Sequence, residues 1–304
     1  MPKICYTPKK FRPETLQMIA DANTIIAEYE KAGFKLTLRQ IYYQFVSRDL
    51  IPNTKESYKS LGEVVNNARL AGLIDWDAIE DRTRNLRSLA HWDSPKDIVK
   101  SCAYQFRVDR WANQPNYCEV WIEKDALSGI IQGVCNENDV PFFACRGYTS
   151  QSEMWGAAMR LIQHENDGKD VTIIHLGDHD PSGIDMTRDI QDRLELFGCG
   201  ANVLRIALNW DQVEAYKPPP NFAKTTDCRY KGYEAKYGDE SWELDALDPT
   251  TIESLVRKHI DDLLDKKKWK ESNERQQLGR GHLHAIHDQW DRVCSYLDEK
   301  YDDD

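Results

Sequence analysis

The hydrophobic pattern of the chain changes period near residue 116. Between residues 13 and 31 apolar positions recur at helical spacing, at Leu16, Ile19 and Ala20 and again at Ile25, Ile26 and Tyr29. This predicts an amphipathic helix that ends near Gly33. Thr37 stands as the N-cap of a second helix, LRQIYYQFVSRDL, which Pro52-Asn53 closes. A third helix is expected at about 57–71, presenting Asn66, Asn67 and Arg69 beside Leu61, Val64 and Val65, and residues 72–84 read as a small wing. Beyond 116 the apolar runs shorten to strand length: CEVWIEK (118–124), PFFACRG (141–147), VTIIHLGD (171–178) and NVLRIAL (202–208). Helical patterns at about 125–138, 151–164 and 182–197 separate them. Strand alternating with helix predicts a parallel α/β sheet, whose strand C-termini gather ligand-binding groups. Residues 209–248 have no clear period, 249–300 reads as two helices parted by a polar GRG linker, and YDDD reads as a frayed tail.

The expected fold is therefore mixed α/β. It comprises a helical part at 1–88, a connector at 89–116, an α/β domain at 117–248 and a C-terminal helical extension with an acidic tail at 249–304. A length of 304 residues suits about two domains. No apolar stretch approaches the roughly 20 residues of a spanning helix, and the N-terminus lacks the apolar core of a signal peptide, so a cytoplasmic protein without a membrane partner is expected. The eight cysteines form no CxxC pair, which disfavours a zinc ribbon or a disulfide framework and favours reduced thiols. A net charge of −11 argues against nucleic acid until it is divided along the chain. Residues 1–110 carry 18 Lys and Arg against 14 Asp and Glu, whereas 111–304 carry 22 against 37, so a mildly basic part precedes an acidic one.

The candidate chemistry lies at two strand ends. Glu123 closes one run, and Asp178 and Asp180 close another, where residues two apart in an extended segment point to the same side. Three such carboxylates form an oxygen site suited to Mg²⁺, with Mn²⁺ as an alternative, and without a cation they would repel one another and raise their own pKa values. The competing role is helix capping, common after strands in α/β proteins. Lys124 and Arg146 sit at strand ends where a phosphate could bind, Glu243 and Asp245 in WELDAL could extend the acidic site, and Ser150 or Ser152 could cap the next helix. Of His282, His284 and His287, only the last two share a helix face, which favours ordinary surface histidines. Gly168-Lys169 lacks the remainder of a phosphate-binding loop.

Three short helices and a wing look like a winged helix-turn-helix, a module that lays its last helix in the major groove of double-stranded DNA, where Asn66 and Arg69 could meet base edges. The motif pair EK at 123–124 and GDHDPSG at 177–183 resembles the Toprim domain of topoisomerases, primases and related nucleases. The second motif is close to its form in the A subunit of topoisomerase VI and its meiotic double-strand-break relatives. In that type IIB class the winged helix carries a DNA-attacking tyrosine in an Arg-x-x-aromatic-Tyr pattern, and LRQIYYQF places Arg39, Tyr42 and Tyr43 in that order.

The resemblance implies that Tyr43 attacks a DNA phosphate to form a 5′-phosphotyrosyl link, with Arg39 positioning or neutralising that phosphate. It implies further that Glu123, Asp178 and Asp180 hold the metal, and that Arg39, Asn66, Arg69, Lys124 and Arg146 contact DNA. In the family the tyrosine of one protomer meets the metal of its partner, which implies a homodimer. The chain carries no visible ATPase segment, so strand passage would require a separate ATPase chain. Two readings compete with this one: a hydrolytic Toprim nuclease like the overcoming-lysogenisation-defect enzymes, with Tyr43 structural, and a DNA-binding protein without catalysis. A phenol with a pKa near 10 is a poor nucleophile at neutral pH, so covalent chemistry would need a cation beside it.

Overall fold

A computed structural model describes residues 3–79 and 89–301. The chain forms two compact units, one of residues 1–84 with 117–263 and the other of 85–116 with 264–304. In the first unit, α1 (Pro13–Lys31), α2 (Leu38–Ser47) and α3 (Lys55–Leu70) surround a shared core. Pro13 opens α1, and Thr37 opens α2 with a capping box: its hydroxyl accepts from the Gln40 N–H while the Gln40 side chain accepts from the Thr37 N–H. The expected helices are thus present, and Ile25, Ile41, Phe45 and Leu61 lie at their centre. Residues 80–84 of the expected wing lie outside the described residues. Its described part is a turn and a single 3₁₀ turn at Trp76–Ala78, with Leu36 and Ile79 forming an isolated bridge.

The second unit contains α4 (Pro95–Gln105). Back in the first, β1 (Asn116–Ile122), α5 (Ser128–Glu137), β2 (Phe142–Ala144), α6 (Gln151–Asn166), β3 (Asp170–Leu176), α7 (Pro181–Leu196) and β4 (Asn202–Ala207) alternate as the pattern predicts. They build a parallel sheet in the order β2-β1-β3-β4. Chain order reverses between β1 and β3, and the crevice outside the strand C-termini at such a reversal is where open α/β sheets bind ligands. Cys118, Val120 and Ile122 alternate along β1 with Tyr117, Glu119 and Trp121, and both sets are buried, as expected of a central strand with helices on both faces. Glu119 tolerates burial because it accepts from Arg160 of α6 at 2.7 and 2.9 Å, from Tyr117 Oη at 3.1 Å and from Trp121 Nε1 at 2.9 Å.

The irregular stretch after β4 holds α8 (Trp210–Tyr216), α9 (Tyr230–Tyr237) and a two-residue antiparallel ladder of β5 (Asn221–Phe222) with β6 (Glu240–Ser241). A 3₁₀ turn at Leu244–Ala246 follows, then α10 (Pro249–Leu263). The turn packs on α2, and Ala246 completes the three-helix core. The second unit is closed by α11 (Lys266–Asp288) and α12 (Trp290–Tyr301). The expected GRG linker is a correction: Gly279-Arg280-Gly281 lies inside α11, where Gly279 lets the Phe106 ring approach and Arg280 donates to the Phe106 carbonyl. Residues 302–304 of the expected tail lie outside the described residues. All eight cysteines are free thiols, and four of them, Cys118, Cys135, Cys145 and Cys199, are buried. Among the described residues no helix is long and apolar enough to cross a membrane.

His175 on β3 makes this core sensitive to acid. Its Nδ1 pairs with Thr187 Oγ1 at 2.9 Å, and complete burial, with Arg205 nearby, pushes its pKa down to about 3. Because the folded value lies below the unfolded one, stability is complete above pH 6.5 and declines as pH falls through the window between the two values. Between pH 7.5 and 5.5 this one group is expected to cost about 1.4 kcal/mol. Urea midpoints at the two pH values test this: His175→Gln should remove that increment, and an unchanged difference would refute it.

Candidate functional site

Glu123 and Asp178 stand on either side of the sheet's reversal point. The Glu123 N–H donates to Leu176 O at the end of β3, and its carbonyl accepts from the Arg146 N–H just beyond β2, so three strand ends meet there. Its carboxylate Oε2 accepts from the Asp178 N–H at 2.8 Å. Gly177 makes room for this approach, since a Cβ there would lie 3.0 Å from Glu123 Oε2 and 3.2 Å from Arg205 Nη1. Burial raises the Glu123 carboxyl above its ordinary range, with Asp180 adding to the effect.

The segment GDHDPSG is a strand-to-helix turn whose residues have separate tasks. Asp180 is the N-cap of α7 and accepts from the Gly183 N–H at 2.6 Å and Ser182 Oγ at 2.9 Å, with Pro181 opening the helix. Asp180 therefore caps α7 through Oδ1. Gly183 must lack a side chain, because a Cβ would overlap the Asp178 carbonyl oxygen. Asp178 is buried, its Oδ1 accepting from the Leu244 N–H at 2.8 Å and its Oδ2 lying 2.9 Å from Lys124 Nζ. His179 points elsewhere, into a box of Trp210, Tyr233, Tyr237 and Trp242, and its backbone pairs with Trp242 in both directions.

Lys124 is the hub of the site. Its ammonium also lies 2.9 Å from Glu243 Oε2 and 3.1 Å from Asp245 Oδ1. Arg39 reaches the same two acids from α2, with Nε 2.7 Å from Asp245 Oδ2 and Nη2 paired to Glu243. Burial raises the Asp178 and Asp245 carboxyls despite these cations. Burial also opposes ionisation of Glu243, but Lys124 and Arg39 outweigh it and hold that carboxyl at about 2. Burial lowers the Lys124 and Arg39 values, and the surrounding carboxylates more than reverse this, so both remain charged.

Tyr43 lies at the far end of the same network. Its hydroxyl is 3.4 Å from Arg39 Nη2 and 3.4 Å from Asn221 Nδ2, and Asn221 also reaches Glu243. Burial, with Asp245 and Glu243 close by, pushes the phenol up to about 12, so it is protonated at neutral pH. The structure thus joins Arg39, Tyr43, Glu123, Lys124, Asp178, Glu243 and Asp245 within one unit. Asn66 is exposed on α3, and Arg69 spends its guanidinium on the Trp76 and Ile79 carbonyls and the Trp76 ring. The Arg146 side chain turns to Asp125 at 3.0 Å. Sequence reasoning missed Asn221, which has no local signal, and Arg205, a lone cation in the apolar run NVLRIAL. Arg205 donates to the carbonyls of Gly177, Asp178, Gly183 and Leu208, holding the acidic turn from behind. Among the described residues no group of three or more His, Cys, Asp or Glu is arranged to hold a metal ion.

The chain matches no protein-family model, no curated protein and no solved structure.

Removing Lys124 leaves buried carboxylates without their shared counter-charge, and breaking such a pair typically costs about 3–5 kcal/mol. Lys124→Met should lower stability by about 3 kcal/mol, and adding Asp245→Asn should recover part of the loss. Urea unfolding of the single and double variants checks this, and strict additivity would contradict the shared hub.

Proposed function

We propose that this chain cleaves DNA by transesterification at Tyr43, the chemistry that the resemblance to topoisomerase VI A subunits implies, with the tyrosine and the carboxylates of one chain joined in one network. The observation that carries the reading is the continuous polar network from the Tyr43 hydroxyl, through Arg39, Glu243, Asp245 and Lys124, to Asp178 and Glu123 at the sheet's reversal point. A nucleophile, two cations and switch-point carboxylates in one place form a constellation suited to phosphoryl transfer. In the reaction the Tyr43 oxygen bonds to phosphorus, the bond from phosphorus to the 3′ oxygen breaks, and that oxygen takes up a proton as the phenolic proton departs. The 5′ phosphate remains on the tyrosine, and the reverse attack reseals the strand.

Arg39 and Lys124 are paired internally, so the scissile phosphate must compete with Glu243 and Asp245 for them. An Arg39 guanidinium transferred to the phosphate faces both that charge and the Tyr43 hydroxyl, which favours loss of the phenolic proton. Glu123 and Asp178 bring the hard carboxylate oxygens that a divalent cation takes, and binding would have to exchange the Lys124 contact of Asp178 for the ion. Glu123, Asp178 and Asp180 are the proposed holders of Mg²⁺ or Mn²⁺. When bound, the cation supplies positive charge for the developing phosphoryl charge and the leaving oxygen. Homodimerisation, double-stranded DNA as partner and a separate ATPase chain for strand passage belong to the same proposal.

Supercoiled plasmid incubated with Mg²⁺ or Mn²⁺, stopped with detergent and run with and without protease tests the chemistry. Breaks visible only after protease, absent in Tyr43→Phe and reduced about 100-fold in Arg39→Ala, are expected. Breaks that persist in Tyr43→Phe without protease would replace this reading with metal-dependent hydrolysis.

Metal binding has its own readout. Mg²⁺ or Mn²⁺ should raise the thermal midpoint of the wild type by several degrees and leave Asp178→Asn unmoved. Equal shifts in both proteins would remove Asp178 from the metal site.

A further inference from the structure

Beside Tyr43 lies a cavity of about 600 Å³ whose outer wall is not used by the cleavage chemistry. This volume falls in the range of sites that hold one small organic group. Its floor is aromatic and fixed: Tyr42 and Tyr43 are buried, and the Tyr42 ring meets Tyr43 and Tyr58 edge-on at 5.4 and 5.2 Å. Its side is tied by hydrogen bonds. Tyr42 Oη donates to Asn53 Oδ1 at 2.9 Å, and Asn53 Nδ2 donates to the Pro220 carbonyl at 2.7 Å and to Asn221 Oδ1 at 3.1 Å.

The opposite rim is held differently. Phe222 is 87% exposed although its backbone is laddered to Glu240, so a two-residue antiparallel ladder presents a large aromatic ring to solvent at the cavity mouth. Tyr58, 37% exposed, lines the same cavity, as do the exposed Lys55 and Lys224. Packing within the unit gives Phe222 little reason for this placement. Aromatic faces with cations around them and a hydrogen-bonded polar side suit a ligand that has a planar π-system and a phosphate, namely a nucleotide.

We propose that the cavity receives one unstacked nucleotide of the DNA strand, next to the phosphate presented to Tyr43. Its base lies against Phe222 and Tyr58, and its flanking phosphate is held by Lys55 and Lys224. This rests on the nucleic-acid reading above and adds a substrate class: DNA whose base at that position is unpaired or readily extruded. Extrusion is least costly where no partner base must be given up, so the site discriminates against fully stacked duplex.

The test compares binding of two labelled duplexes at one fixed salt concentration, identical except that one has a short unpaired bubble, with AMP and TMP as free-nucleotide probes. Wild type should prefer the bubble. Phe222→Ala should weaken bubble binding about tenfold and change paired-duplex binding by less than about twofold, and Phe222→Trp should restore the preference. Because Phe222 is exposed, these variants keep the core intact. Equal affinity for the two duplexes, an equal loss on both in Phe222→Ala, or free mononucleotides binding as tightly as the bubble would overturn the proposal. Bubble preference without any tyrosine adduct would uphold it while the cleavage reading fails. Adducts formed equally at paired sites regardless of Phe222 would do the reverse.

Discussion

The site depends on compensating buried negative charge at the point where the sheet reverses its strand order. Asp178 and Asp245 are almost wholly withdrawn from water, and Glu123 abuts Asp178. Isolated ionised carboxylates in such surroundings would be strongly disfavoured. Two kinds of partner offset that cost. Backbone N–H groups at 178 and 244 supply directed hydrogen bonds, and Lys124 and Arg39 supply full charges. Each partner belongs to a different part of the chain, so the charge balance itself draws those parts together.

That requirement explains why the three-helix segment and the sheet segment belong to one compact unit. Arg39 sits on the first turn of α2, where the Thr37 capping box fixes the helix start. From there it reaches acids on the 3₁₀ turn at 244–246, and Ala246 of that turn enters the helical core. Tyr43, one helical turn after Arg39, is placed under the same acids. The price of this arrangement is a phenol pushed away from ionisation. In the proposed reaction, ionisation of Tyr43 would therefore depend on a change in what Arg39 touches, since in the internally paired arrangement the neighbouring acids oppose a phenolate.

The fold was legible where its determinants are local. Periodicity located α1, α5, α6, α7 and the four sheet strands to within a few residues, because each buries a face that the sequence spaces at 3.6 or 2. Thr37 was legible as a cap for the same reason. Residues 209–248 were not, since their short elements are held by distant partners: Trp242 by His179, and Asn221 by Asn53. The GRG segment shows the reverse error, a loop signal overridden because Gly279 is needed for close packing against Phe106. At the site, the residue types at 123, 178 and 180 stood out. Their division of labour did not, because an Asp before Pro-Ser-Gly reads equally well as a cap, and the role of Lys124 depends on acids more than a hundred residues away.

The pairing of Arg39 and Lys124 with Glu243 and Asp245 also bears on selectivity in the proposed reaction. Two carboxylates between two cations hold the place an anionic phosphate would take, with bidentate geometry available at the guanidinium. A lone small anion offers little to displace them, because it would have to replace internal ion pairs that cost nothing further to maintain. A polynucleotide brings neighbouring phosphates and bases whose contacts are made elsewhere, and that binding energy can offset the exchange. The same ion pairs that stabilise the buried acids would then tie opening of the site to engagement of an extended strand.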